Sequence, residues 1–285
     1  MARNNSDRTG NGTPDPTPSP LTPEALQEKL FSFPKPTELV DLPSKGRYYP
    51  EDHPLHNKET IEIRYMTAKD EDILTSKSLL KKGVALDRLL KNVIVDKSIE
   101  LDTILVGDKN AILIATRISG YGEEYVTNVA CPSCGETSRV EFDLEESRNV
   151  YEGNDIEEYD ISLTSSGTFN VRLPLTDVVV EVRLMSGADE KRLTSRIQSK
   201  KKHRLPETFL TDQLSMMIVS VNGNPDNSLK KLLLDGMPAK DARYLRKAYE
   251  KVVPTVDLTH QFQCQNCNHE GEMGVPFTTD FFWPK

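Results

Sequence analysis

CPSCG, Cys131 to Gly135, and CQNCN, Cys264 to Asn268, are the stretches that decide how this chain folds. They hold all four of its cysteines. Two CxxC pairs with no thiol left over match a tetrahedral four-thiolate zinc site. In such a knuckle the chain turns sharply after the first thiolate, so the second thiolate and nearby N–H groups face one ion. The residue after the second cysteine often takes a left-handed conformation, which glycine and asparagine tolerate best. Gly135 and Asn268 stand at those places. Cys131, Cys134, Cys264 and Cys267 are therefore the candidate ligands of a structural zinc. Four thiolates leave no position for water or substrate, and in small zinc modules the ion supplies about 10 kcal/mol of folding free energy. His260 and His269 stand nearby, but four thiolates already saturate the ion. Two other readings stay open. A redox CxxC belongs at a strand-to-helix junction, where neither pair is expected. Stable disulfides belong to secreted chains.

The flanks of both pairs read as strands, over 125–130 and 139–144 for the first and over 258–263 and 272–277 for the second. Strand, knuckle, strand occurring twice is the layout of a zinc ribbon, here split by the long stretch from Gly135 to Gln263. The expected fold class is α+β: helices packed on small antiparallel sheets, with a four-cysteine zinc-ribbon-like element split by a long insertion. The chain divides into an extended or disordered N-terminal arm (1–40), a strand–helix region (41–130) and the first knuckle hairpin (131–150). An inserted α+β region (151–257) follows, then the second knuckle hairpin with an aromatic C-terminus (258–285). The arm opens with Asn, Ser, Thr, Gly and Pro, which bury too little to offset their ordering entropy.

Periodicity and end signals predict a short helix over 21–31, a loop with aromatic anchors over 41–55 and a strand over 61–65. A helix from Thr67 to Gly83 follows, then an amphipathic one over 86–95. A core helix over 108–119 is ended by Gly120 and Gly122. After the first knuckle, 152–160 reads as an acidic loop and 169–173 and 178–184 as strands. Helices are expected over 189–200, 206–221, 228–234 and 238–252.

Forty-four acids against 36 bases give 285 residues a net charge of −8 and a pI near 5.3. That charge disfavours bulk binding to nucleic acid. No stretch approaches the roughly 18 apolar residues of a membrane span, and the N-terminus lacks the apolar core of a signal peptide. A soluble protein made inside the cell, without a membrane partner, is expected.

Two stretches echo each other: IEIRYMTAKDEDIL from Ile61 and VEVRLMSGADEKRL from Val180. Each is a strand running into a helix that opens with acids. They read either as generic junctions or as a duplicated half-domain sharing one zinc.

Phosphate-cradling GxxxxGK[ST] and GxGxxG motifs are absent, as are HExxH and GxSxG. His53, His56, His203, His260 and His269 are scattered and read as surface residues; the acids Asp70, Glu71 and Asp72 are accounted for by the helix dipole. No catalytic constellation emerges, so an enzyme with a small-molecule substrate is not expected. The run Lys200, Lys201, Lys202, His203, Arg204 reads as a solvated helix end or a contact to an acidic partner or nucleic acid, without the aromatics that single-strand binders use. The terminal FFWPK, 281–285, packs into the core or presents an interface.

LPSKGRYYP from Leu42, IEIRYMTAKDEDIL, GDKNAILIATRISGYGEEY from Gly107 and CPSCG occur in that order. Together they resemble the T-even-type bacteriophage baseplate proteins, the hub-subunit or hub-assembly family of contractile-tailed phages, over residues 42–285. The resemblance implies a non-enzymatic structural or assembly protein whose partners are other baseplate and tail proteins. It would be found in the host cytoplasm during assembly and in the virion tail baseplate. The alternative is a zinc-ribbon nucleic-acid-binding or transcription-type adaptor. That reading calls for a basic face, whereas Glu136, Glu141, Asp143, Glu270 and Glu272 outnumber Arg139 around the knuckles.

Overall fold

The computed structural model describes Thr22 and residues 36–153, 158–206, 208–275 and 281–282. The helix expected over 21–31 lies outside the described residues, Thr22 apart. All the elements below belong to the unit Thr37–Lys285, and Met1–Pro36 is a unit apart. The fold is α+β.

Strand β1 (Thr37–Asp41) begins inside the stretch read from sequence as the arm and pairs antiparallel with β2 (Thr60–Arg64), Thr37 opposite Arg64 and Asp41 opposite Thr60. Beyond β2, the single helix expected from Thr67 to Gly83 is two: α1 (Ala68–Thr75) and α2 (Lys77–Lys82). Ser76 interrupts them in an extended conformation at ψ 106°. Thr75 and Ser76 use their hydroxyls locally, on Glu71 O and Ser78 Oγ, and such bonds compete with the helix ladder. Helix α3 (Ala85–Val93) buries the stripe Ala85, Leu89, Leu90 and Val93. Each of these leucines contributes about 2 kcal/mol through the apolar surface it removes from water.

A 3-10 turn (Leu101–Thr103) leads into the core helix α4 (Val106–Tyr121). Gly120 lies within α4 rather than ending it, and Gly122 caps it. The first knuckle hairpin follows, β3 (Glu124–Ala130) and β4 (Thr137–Asp143), with Tyr125, Thr127 and Val129 on its buried face. Next comes the short β5 (Arg148–Tyr151).

The inserted region builds a four-stranded antiparallel sheet from β6 (Ile161–Leu163), β7 (Phe169–Arg172), β8 (Val179–Val182) and β9 (Ile218–Val221), in that order. Around it stand α5 (Gly187–Lys202), α6 (Phe209–Met217), α7 (Asn227–Gly236) and α8 (Ala239–Val252). The helix expected over 206–221 is shorter than read. It starts at Phe209 and gives way to β9 at Ile218, because the β-branched IVSV run alternates sides and completes a ladder on β8. Last come β10 (Thr255–Gln263) and β11 (Glu270–Gly274), the second knuckle hairpin. The first part of β10 pairs with β5 and the second with β11, so the C-terminal hairpin is stitched to the chain just past the first one.

Phe281 and Phe282 are buried, and Phe281 sets its ring edge-on to Tyr125 at 5.2 Å. These two aromatics therefore belong to the core, while Trp283 lies outside the described residues. Four of the five histidines are partly buried and His203 is exposed. His53 stacks on Tyr49 at 4.4 Å and bonds Thr103 Oγ1 at 2.8 Å, and burial lowers its pKa. His260 meets the edge of Phe142 at 5.1 Å, between the two knuckle hairpins.

Candidate metal centre

The two CxxC pairs, far apart in sequence, come together. All four Sγ atoms lie within 4.8 Å of one another. Cys131 Sγ is 3.8 Å from Cys267 Sγ, and Cys134 Sγ is 3.8 Å from Cys264 Sγ. Tetrahedral Zn–S bonds of about 2.3 Å demand sulphurs about 3.8 Å apart. A disulfide would need about 2 Å, and all four cysteines are free.

The knuckles repeat each other bond for bond. In the first, Cys131 N donates to Glu136 O at 2.8 Å and Gly135 N to Cys131 O at 2.9 Å. In the second, Cys264 N donates to His269 O at 2.9 Å and Asn268 N to Cys264 O at 2.9 Å. Gly135 at φ 74° and Asn268 at φ 55° take the left-handed turn that lets each pair close. Each pair has one buried cysteine, Cys131 or Cys264, and one exposed, Cys134 or Cys267. Both pairs sit between antiparallel strands, not at a strand-to-helix junction.

Backbone N–H groups aim at the sulphurs, as ligating thiolates require. Ser133 N lies 3.4 Å from Cys131 Sγ. The Glu136 N–H lowers the Cys134 thiol. The N–H groups of Cys267 and Asn266 hold Cys264 down to about 7. The His269 N–H favours the Cys267 thiolate too, but burial and the neighbouring sulphurs push that thiol up to about 11. Four thiolates packed this closely would repel one another, and a divalent cation bound among them would offset that repulsion.

The sequence echo is a repeated bond network as well. Arg64 pairs with Asp70 through both nitrogens, at 2.7 and 3.0 Å, while Thr67 N and Oγ1 donate to Asp70 Oδ2 at 2.9 and 2.8 Å. Arg183 pairs with Asp189 at 2.7 and 2.7 Å, and Ser186 N and Oγ donate to Asp189 Oδ2 at 3.0 and 3.1 Å. Asp70 is thus a buried, paired capping residue rather than one more acid facing the helix dipole. A second repeat went unread in the sequence. At the start of α4, Asp108 accepts from Ser44 N, Ser44 Oγ and Tyr49 Oη at 3.0, 2.6 and 2.7 Å. At the start of α8, Asp241 accepts from Leu175 N, Thr176 N and Thr176 Oγ1 at 3.0, 3.0 and 2.7 Å. Both carboxylates anchor a turn that opens Leu-Pro, at Leu42 and Leu173. The step along the chain from Asp108 to Asp241 equals the step from Cys131 to Cys264, and that shared offset was the available signal.

Each half therefore runs from a Leu-Pro turn to a strand, an Arg–Asp-locked helix, an Asp-anchored helix and a knuckle hairpin, and the cysteines join the two ends. Arg117, also unread, braces this junction from α4. It donates to Phe281 O at 2.5 Å, Gly122 O at 2.6 Å and Glu124 O at 2.9 Å.

The family model described as T4 bacteriophage base plate protein matches residues 37–283, most of the chain. No curated protein and no solved structure matches it.

Proposed function

The chain belongs to the T4 bacteriophage base plate protein family, and on that premise we propose that it is a non-enzymatic structural or assembly component of a contractile-tailed phage baseplate. In this reading it is a hub or wedge subunit or a hub assembly factor, stabilised by a structural zinc. The family match over 37–283 carries the proposal. The family implies a place in the virion tail and contacts with other baseplate and tail proteins. Among the described residues no helix is long and apolar enough to cross a membrane.

The ligands would be Cys131, Cys134, Cys264 and Cys267. A zinc ion bound by four thiolates has no open coordination position, so what it supplies is a cross-link between the end of the first half and the end of the second. The 3.8 Å sulphur spacing and the N–H groups aimed at the sulphurs support this. The exposed rims of the knuckles carry Glu136, Glu141, Glu270 and Glu272, which suits a protein partner better than a phosphate backbone.

Infection by phage unable to make the chain tests the role. The expected result is filled heads without complete baseplates, restored when the chain is supplied in trans. Normal infectious particles in its absence would overturn the proposal. Finding the chain at fixed stoichiometry in purified tails would mark a subunit, and finding it only in assembly intermediates would mark an assembly factor.

A further inference from the structure

The acidity of the chain is unevenly spread. Residues 187–236, from α5 to α7, hold nine Lys and Arg against six Asp and Glu, a net +3 in a chain of net −8, with Lys200, Lys201, Lys202 and Arg204 in one run free of acids. The same stretch carries the densest exposed apolar side chains: Leu205 is 55% exposed, Phe209 48%, Leu210 50% and Leu232 69%. These features are contiguous. Lys200 Nζ reaches Thr208 Oγ1 and lies 2.5 Å from Asp212 Oδ2, which folds the end of α5 onto the start of α6. Helix α6 packs in turn on α7, and α7 has no buried residue despite its four leucines. Lys201, Lys202 and Arg204 are exposed and form no ion pair among the described residues.

We propose that the α5–α6 corner, extended by α7, is a docking surface for an acidic amphipathic helix of a neighbouring protein. Exposed apolar side chains grouped on one surface mark a contact site. Cations around them select a partner whose apolar stripe is bordered by Glu and Asp. A nucleic acid would use the cations and has one ring to stack on, Phe209, but gains little from Leu205, Leu210 and Leu232, which offer no stacking plane. The inference rests on the baseplate reading only for the identity of the protein that carries the helix; the binding measurement below stands without it.

The test titrates the full-length chain with a fluorescent 21-residue peptide of Leu and Glu in amphipathic order, with a scrambled peptide of equal composition and with a 20-base-pair DNA duplex as comparators. The expected result is binding to the ordered peptide at least about tenfold tighter than to the scrambled one. Leu210→Asp should weaken it about tenfold, and Lys201→Glu with Lys202→Glu about threefold, with the charge effect fading in high salt. These positions are exposed, so an unchanged melting temperature shows that the variants fold. No binding, or equal binding of both peptides, would overturn the proposal. Tighter binding of DNA would make the surface a nucleic-acid site instead. Dimerisation abolished by Leu210→Asp would assign it to a second copy. A gain in affinity on deleting residues 1–35 would assign it to the chain's own arm.

Discussion

Asp70 has 1% of its side chain exposed and stays charged because its partners outweigh its burial. Burial alone would raise its pKa; the paired Arg64, together with the Thr67 N–H and hydroxyl, holds it at about 2. A carboxyl held below its unfolded value stabilises the fold above pH about 4 and loses that contribution as the pH falls through about 2. Asp70→Asn should therefore cost about 2–3 kcal/mol at pH 7 in urea unfolding, with the gap to the parent closing between pH 4 and 2. Asp189→Asn should cost less, because Arg183 is 37% exposed against 19% for Arg64 and solvent screens the pair. Arg117 makes a different demand, since its guanidinium satisfies three carbonyls. Arg117→Met should cost about 3 kcal/mol and speed proteolysis at the C-terminal end, where Phe281 loses its tether. At this scale the cysteines were legible because CxxC spacing is a chemical code. Arg117 was not, because its partners come from Gly122, Glu124 and Phe281, and no local pattern records a bond that only the fold creates.

At the scale of elements, α4 is held at both ends. Its first turn lies against the strand that leads into the second knuckle, so close that a Cβ built on Gly107 would collide with Pro254 O. Gly107→Ala should cost about 3 kcal/mol by forcing these elements apart. Gly135→Ala meets no neighbour within 4 Å but must hold φ at 74°, so about 1 kcal/mol is expected. Thermal melts of the two variants separate steric from conformational cost. The elements themselves were largely legible, since the α3 stripe and both knuckle hairpins follow from spacing. The misread ones were decided by competition. Ser76 broke a helix whose apolar pattern runs on, and β9 left helix α6 because β8 offered an edge. A local pattern states a preference, and the available neighbour decides it.

At the scale of the molecule, the chain is one plan used twice and closed on itself. An Arg–Asp lock, an Asp-anchored turn and a knuckle occur once in each half, the lock at an offset of 119 residues and the anchoring aspartates and knuckles at 133. The sequence echo alone favoured generic junctions over a duplicated half-domain; the shared bond networks and the meeting of the cysteines join its pieces. On this account, the hairpins that end the two halves are linked through four sulphurs, and that link should fix the platform from which a baseplate component meets its neighbours. Replacing Cys131 or Cys264 by Ser should therefore loosen both hairpins together, seen as matched gains in hydrogen exchange over β3–β4 and β10–β11.

Metal content and thiol reactivity of the purified chain, followed by its melting after chelation, test the account most directly. The account predicts one zinc per chain, four thiols masked until a chelator removes it, and a lower melting temperature afterwards. A metal-free chain of undiminished stability, with one CxxC pair reactive near neutral pH, would contradict it.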